Sequence, residues 1–277
     1  ELGLLGDWLH TAGSGAGLLT DRWSAGSSAS LEHADFDGAD WRLDYVLRAR
    51  SFPDSSVRDH FEHETRGRMR LGWGIANFVV LDASTVRRFS AHTAPTSLDN
   101  FWEESGSVDL VQNAAGRLGW PARFELETVQ FDVQDDLLYF NHQLLRGRTG
   151  ARLQTSGTWT LELGPQTEWL SASAARDESY FEWGGYAEFE AIASGTLWSL
   201  LPSAGWRGYD SSPAALPGSF PETHPDYRFV ELELLGDQRL PGGWRARLAS
   251  NARWEFHSEP AENAGSLYFS LDVRRLF

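Results

Sequence analysis

Apolar and polar residues alternate with a period of two along nearly the whole chain, in segments of about ten residues, and that pattern constrains the fold more than any other feature. A period of two gives a β-strand two unlike faces, whereas an α-helix would repeat near 3.6, a spacing that is scarce here. In the segment from Trp244 to Phe256, one face takes Trp244, Ala246, Leu248, Ala252, Trp254 and Phe256, and the other Arg245, Arg247, Asn251, Arg253 and Glu255. Further on, Leu267, Phe269, Leu271 and Val273 oppose Tyr268, Ser270, Asp272 and Arg274. Leu153, Trp159, Leu161 and Leu163 likewise oppose Arg152, Gln154, Thr158, Thr160 and Glu162, and Trp41, Leu43, Tyr45 and Leu47 oppose Arg42, Asp44 and Arg48.

Alternation of this kind suits a soluble sandwich as well as a lipid-facing barrel. Three features favour the barrel. Trp and Phe gather toward the segment ends, as rings at two membrane interfaces would. The opposite faces carry Arg and Glu, which suit a wet interior. Turn chemistry recurs between segments, at Leu163-Gly164-Pro165-Gln166, Ala193-Ser194-Gly195 and Pro241-Gly242-Gly243.

Composition removes other classes. Hydrophobic residues at 41% and aromatics at 13% are too many for a disordered chain. Cysteine is absent, which excludes a disulfide framework and a thiolate metal site. All 24 basic residues are arginine, and a net charge of -15 argues against nucleic acid as a partner. The longest apolar runs, such as Phe78 to Leu81, fall far short of the roughly 18 residues of a spanning helix. Glu1 reads as the first residue of a processed or trimmed chain, because no starting Met, basic region or apolar leader precedes it.

The ending from Ser266 to Phe277 resembles the last strand of bacterial outer-membrane β-barrels, which close on an aromatic residue, usually Phe, after apolar residues at alternate positions. Phe277, Val273, Leu271, Phe269 and Leu267 fit that pattern, and Arg275 departs from it. The resemblance implies an all-β, transmembrane, antiparallel up-and-down β-barrel in the bacterial outer membrane, with outer-membrane lipid as its surroundings.

Reading back from Phe277 gives about fourteen strands, with twelve as the alternative, including segments at 136–147, 150–163 and 166–176. Residues 21–277 form the barrel. Residues 1–20 are an N-terminal arm, a lumen plug or the stub of an upstream domain. With the C-terminus in the periplasm, the long Gly205 to Pro225 connection is extracellular, while Pro53 to Glu64 and Pro95 to Ser105 fall on the periplasmic side.

Chemistry is harder to find. Phe140-Asn141-His142 resembles the start of the His-x-Ser stretch of outer-membrane phospholipases, but the serine position is Leu144, which leaves the histidine nothing to activate. Omptin-type proteases are similar in size and barrel type and work with acids and a histidine near the rim. Asp177, Glu178, Asp210 and Asp226 with His224 or His257 are present, without a spacing that singles out a dyad. Asp59 to Glu64, with His60 and His63, is the densest metal-capable cluster, and a solvated charged connection explains it as well. No catalytic residue, cofactor site or metal site is therefore assigned.

What remains is the lumen. The expected lining comprises Arg42, Asp44, Arg70, Arg123, Glu125, Glu127, Arg152, Glu162, Glu182, Glu188, Glu231, Glu233, Arg245, Arg247 and Arg253. Arginines cluster on the early and last strands and glutamates between them, so closure would set a positive wall against a negative one. An open lumen makes the chain a passive porin-like channel for small polar solutes or ions, not an enzyme. A lumen closed by paired charges makes it an anchor or scaffold for a partner protein in the periplasm or at the surface. If these positions lie near the bilayer midplane, Leu161→Arg or Leu271→Arg is expected to impair folding into bilayers by roughly 2–4 kcal/mol. Thr160→Arg or Ser270→Arg should cost much less. The yield of detergent-resistant folded protein measures the difference, and equal costs within a pair would overturn the face assignment.

Overall fold

The computed structural model describes residues 2–9, 22–34, 39–52, 59–73, 77–91, 100–114, 117–133, 140–155, 158–173, 178–193, 195–210 and 225–275. The strands are β1 (Leu2–Leu9), β2 (Arg22–Ala34), β3 (Ala39–Ser51), β4 (His60–Trp73) and β5 (Asn77–Ser90). They continue with β6 (Phe101–Ala114), β7 (Leu118–Phe131), β8 (His142–Thr149), β9 (Ala151–Thr155) and β10 (Trp159–Ala172). The last are β11 (Tyr180–Ala193), β12 (Thr196–Tyr209), β13 (Tyr227–Leu240), β14 (Trp244–His257) and β15 (Ala264–Arg275). Apart from β8 and β9, which both pair with β7 and β10, each pairs antiparallel with the next in one up-and-down, barrel-like sheet.

β8 and β9 are two halves of one crossing, which makes fourteen crossings. Their registers against β7 and β10 run through Gly150 without a slip. The ladder breaks there because, with those registers extended, Pro121 falls opposite Gly150 and Pro165 opposite Thr149, and proline has no N–H to donate. Gly150 N–H and Thr149 Oγ1 both donate to the Pro121 carbonyl, each at 3.1 Å.

This corrects the reading of three strands at 136–147, 150–163 and 166–176. Gly164-Pro165 is not a turn but lies in the middle of β10, and the chain reverses between Thr155, where β9 ends, and Trp159, where β10 begins. The other two turn signals hold: Gly195 and Gly242 take φ of 77° and 76°, the left-handed region that glycine tolerates without a Cβ clash. Within residues 1–20, Leu2–Leu9 form a strand paired with β2, and 10–20 lie outside the described residues.

Removing the extra strand changes the parity. The connections at 10–21, 52–59, 91–100, 132–141, 173–179, 210–226 and 258–263 all fall at one rim. Those at 35–38, 74–76, 115–117, 156–158, 194–195 and 241–243, none longer than four residues, fall at the other. The segments Pro53 to Glu64 and Pro95 to Ser105 therefore belong to the same rim as the long 210–226 connection.

The two faces differ as the alternation requires. On the outer face, Leu43, Leu81, Val108, Leu126, Leu163, Leu200, Leu232 and Leu271 are exposed. Tryptophans bracket this apolar band: Trp41, Trp73, Trp120, Trp159, Trp198 and Trp244 near the short turns, and Trp102, Trp169, Trp183, Trp206 and Trp254 toward the long connections. His63 sits on this face with its Nδ1 2.6 Å from Tyr45 Oη and the ring edge against Phe89.

On the inner face, aromatic side chains lie against glycines. Phe229, only 2% exposed, covers Gly205, where a Cβ would sit 2.9 Å from the ring. The Tyr186 hydroxyl lies 3.0 Å from where a Cβ on Gly150 would sit and donates to Glu162 at 2.6 Å. A Cβ on Gly164 would collide with the Thr149 carbonyl oxygen, whereas one on Gly106 meets nothing closer than 3.7 Å. Gly164→Ala is accordingly expected to destabilise the fold by about 1–3 kcal/mol, the usual cost of overpacking, and Gly106→Ala by much less. Denaturant unfolding monitored by tryptophan fluorescence distinguishes the two.

Candidate functional site

Because partners on adjacent strands lie opposite in register, the inner-face charges meet as cross-strand pairs. Arg152 faces Glu162 and contacts it at 2.6 Å. The sheet also curls enough for pairs to skip strands, with Arg148 on β8 reaching Glu188 on β11 at 3.3 Å. From β7 to β14 the pairs join into one ladder. Arg146 lies 3.7 Å from Glu125 and donates through Nε to Glu168 at 2.7 Å. Glu168 also accepts from Tyr180 Oη and, at 3.5 Å, from Arg207. Arg207 and Arg253 then share Glu182, at 2.6 and 3.1 Å. Arg253 continues to Glu231 at 3.0 Å, which accepts from Asn251 Nδ2 at 2.6 Å.

Aromatic faces support the same cations. The Arg207 guanidinium lies 3.8 Å from the Tyr180 ring centroid and that of Arg253 4.1 Å from Phe229. Such stacking fixes the planar guanidinium while its N–H groups remain directed at carboxylates.

Two adjoining cavities of about 550 and 540 Å³ occupy the inner space and share Arg123, Glu125 and Arg146 in their walls. Of the expected lining, Arg42, Asp44, Arg123, Glu125 and Glu127 line the first. Arg123, Glu125, Glu182, Glu231, Glu233 and Arg253 line the second. Arg70 joins Arg42 in a smaller recess of about 330 Å³ toward the short turns. Arg152, Glu162 and Glu188 are engaged in the ion pairs above, and Arg245 and Arg247 both contact Asp237.

The sequence reading missed Arg146, Arg148, Glu168, Arg207, Tyr180 and Asp237. Ending one strand at Gly147 and the next before Gly164-Pro165 hid the continuous alternation Arg146, Arg148, Gly150, Arg152 and the matching series Glu162, Gly164, Gln166, Glu168. Arg207 was lost by starting the long connection at Gly205, four residues before β12 ends.

The enzyme-like candidates are engaged otherwise. Leu144 is buried on the same face as His142, which lies 3.9 Å from Glu127. Asp226 accepts the Tyr209 N–H at 3.0 Å, and His257 packs on Tyr227 with ring centroids 5.0 Å apart. Asp177 and His224 lie outside the described residues. His60, Glu62 and Glu64 begin β4 on the inner face, where Arg48 binds both carboxylates at 3.0 and 3.1 Å. Among the described residues no group of three or more metal-ligating side chains converges.

The acidic excess is concentrated at one rim of the sheet. Fourteen of the 39 acidic residues, against only two arginines, Arg58 and Arg176, fall in the long connections, while the strands carry 22 acids and 21 arginines. One of those acids, Asp132, takes both Arg87 guanidinium nitrogens at 2.7 Å. This bonding holds its carboxyl below the ordinary carboxylate range. The clamp therefore contributes fully above the ordinary carboxylate pKa and is lost as the pH falls through the lowered folded value. No protein family and no curated protein matches the chain.

The ladder predicts unequal responses to arginine removal. Arg253→Ala leaves Glu231 and Glu182 short of a partner in a largely enclosed setting, with an expected loss of about 1–3 kcal/mol. Arg245→Ala breaks a pair at an exposed end and is expected to cost clearly less than Arg253→Ala. Denaturant unfolding of the two variants measures the difference.

Proposed function

We propose that the chain is a bilayer-spanning barrel of the bacterial outer membrane that acts as a passive channel for small polar solutes. The observation that carries this reading is the inversion of the two faces: leucines and valines outside between two rows of tryptophan, charges and cavities inside. Trp244 and Trp254, like Trp159 and Trp169, are ten residues apart. At ~3.4 Å per residue that is ~34 Å along the strand. A tilt of ~35–45° reduces it to ~25 Å, the height of the apolar band in such barrels. Burying this outer face in lipid removes from water an apolar surface that a soluble protein rarely exposes.

In lipid an open sheet edge is excluded because its N–H and C=O groups would lack partners. Under this reading the outer edges of β1 and β15, which run antiparallel after an even number of crossings, meet and close the barrel. The long, acidic connections face outward and the short turns face the periplasm, as is usual for such barrels.

A second reading rests on the ladder from Glu125 to Glu231, which occupies inner space and would make a non-conducting anchor or scaffold. Planar-bilayer recording separates the two. Folded protein is expected to conduct with a mild cation preference in asymmetric salt, because the acidic mouth attracts cations while the wall is nearly neutral. The preference should vanish near molar salt as the Debye length falls from about 30 Å at 0.01 M to about 3 Å at 1 M. Folded protein that carries no current overturns the channel reading in favour of the scaffold. Migration on detergent gels that does not change with heating counts against the barrel itself.

A further inference from the structure

Most inner-face charges are paired; among the described residues without a close ion pair, Glu32, Glu103 and Arg239 lie singly on β2, β6 and β13, and four others form two separate strips. On β4, the nearest carboxylate oxygen to Arg68 belongs to Asp82 and is 3.8 Å away. Arg70, also on β4, covers the Phe78 ring at 4.7 Å and makes no ion pair among the described residues. On β11, Glu190 accepts only the Thr160 hydroxyl, at 3.3 Å, and on β13 Glu233 makes no hydrogen bond or ion pair among the described residues. The Arg68 side chain is 65% exposed, so its guanidinium is open to solvent.

The strips lie far apart around the sheet and close in depth. β4 is the fourth of fourteen crossings, β11 the tenth and β13 the twelfth. Counted from the long-connection ends of their strands, Arg68 and Arg70 are eight and ten residues in, Glu190 ten and Glu233 six. Arg68 lines one large cavity and Glu233 the other, and the two cavities share walls.

Resting on the channel reading above, we propose that the lumen favours small zwitterions, namely free amino acids and short peptides, over uncharged solutes of equal size. A simple anion is drawn to the β4 strip and repelled by the other, and a simple cation the reverse. A solute carrying a carboxylate and an ammonium gains from both when its dipole aligns with the field between them. Guanidinium groups with open N–H donors take a carboxylate in a two-point geometry, and unpaired glutamates accept ammonium protons. Amino acids and short peptides carry both groups a few bonds apart.

The test is swelling of proteoliposomes containing the full chain, with glycylglycine compared against an uncharged polyol of equal size. Glycylglycine uptake is expected to be faster by roughly threefold, the scale of one solvent-exposed ion pair. Arg68→Gln with Arg70→Gln, and separately Glu190→Gln with Glu233→Gln, should bring the ratio to about one, while polyol uptake in the same vesicles reports a folded, open barrel. The unaltered protein supplies an independent check: acetylating or amidating the dipeptide leaves a single charge and should remove the advantage. Polyol uptake with no advantage for glycylglycine overturns the solute preference alone. An advantage that survives both double variants, or that persists in the singly charged derivatives, overturns it too. No swelling with either solute overturns the channel reading together with it.

Discussion

Each crossing from β2 to β14 donates and accepts backbone hydrogen bonds on both sides in a fixed register, and because side chains alternate across the sheet, that register decides which face every residue occupies. A slip of one residue anywhere would carry arginines and glutamates into the leucine band and tryptophans into the interior. The alternation thus resists slippage throughout, including across Gly150, where two prolines interrupt the ladder and the pairing nevertheless resumes in step. The glycines beside the Tyr186 hydroxyl and the Phe229 ring serve the same end, since a Cβ at either position would crowd the aromatic side chain.

Once the faces are fixed, the charges sort themselves by position. Carboxylates and guanidinium groups in nearly equal number share the strands, so the wall neutralises itself through pairs such as Arg152 with Glu162 and the longer ladder through Arg207 and Arg253. The net negative charge is left to the long connections. A wall of this kind is nearly neutral, and the charge that remains lies in the long connections and in the few groups that pairing omits.

Arginine rather than lysine suits this interior. Arg207 contacts two glutamates while stacking on Tyr180, and Arg253 contacts three carboxylates while stacking on Phe229. A planar cation with five donors can meet several acceptors at once, which a single ammonium on a flexible stem does less well.

The sequence by itself determined the strand class, the two unlike faces and the residue types on each, because a period of two is a local property of consecutive side chains. It also marked the tight turns at Gly195 and Gly242, where a positive φ requires glycine. It misled at Gly164-Pro165, whose turn-like chemistry is a response to neighbouring strands: Gly164 makes room for the Thr149 carbonyl, and Pro165 leaves a gap that the flanking strand tolerates. That single misreading reversed the parity of the early strands and hid the common rim of the long connections. Which arginine meets which glutamate was likewise beyond the sequence. Arg253 and Glu182 are 71 residues apart, and only the curl of the sheet brings them to 3.1 Å. The tertiary structure alone decided the ladder, the two cavities and the two strips of loosely paired charge on β4 and on β11 and β13, because each depends on how distant strands face one another across the interior.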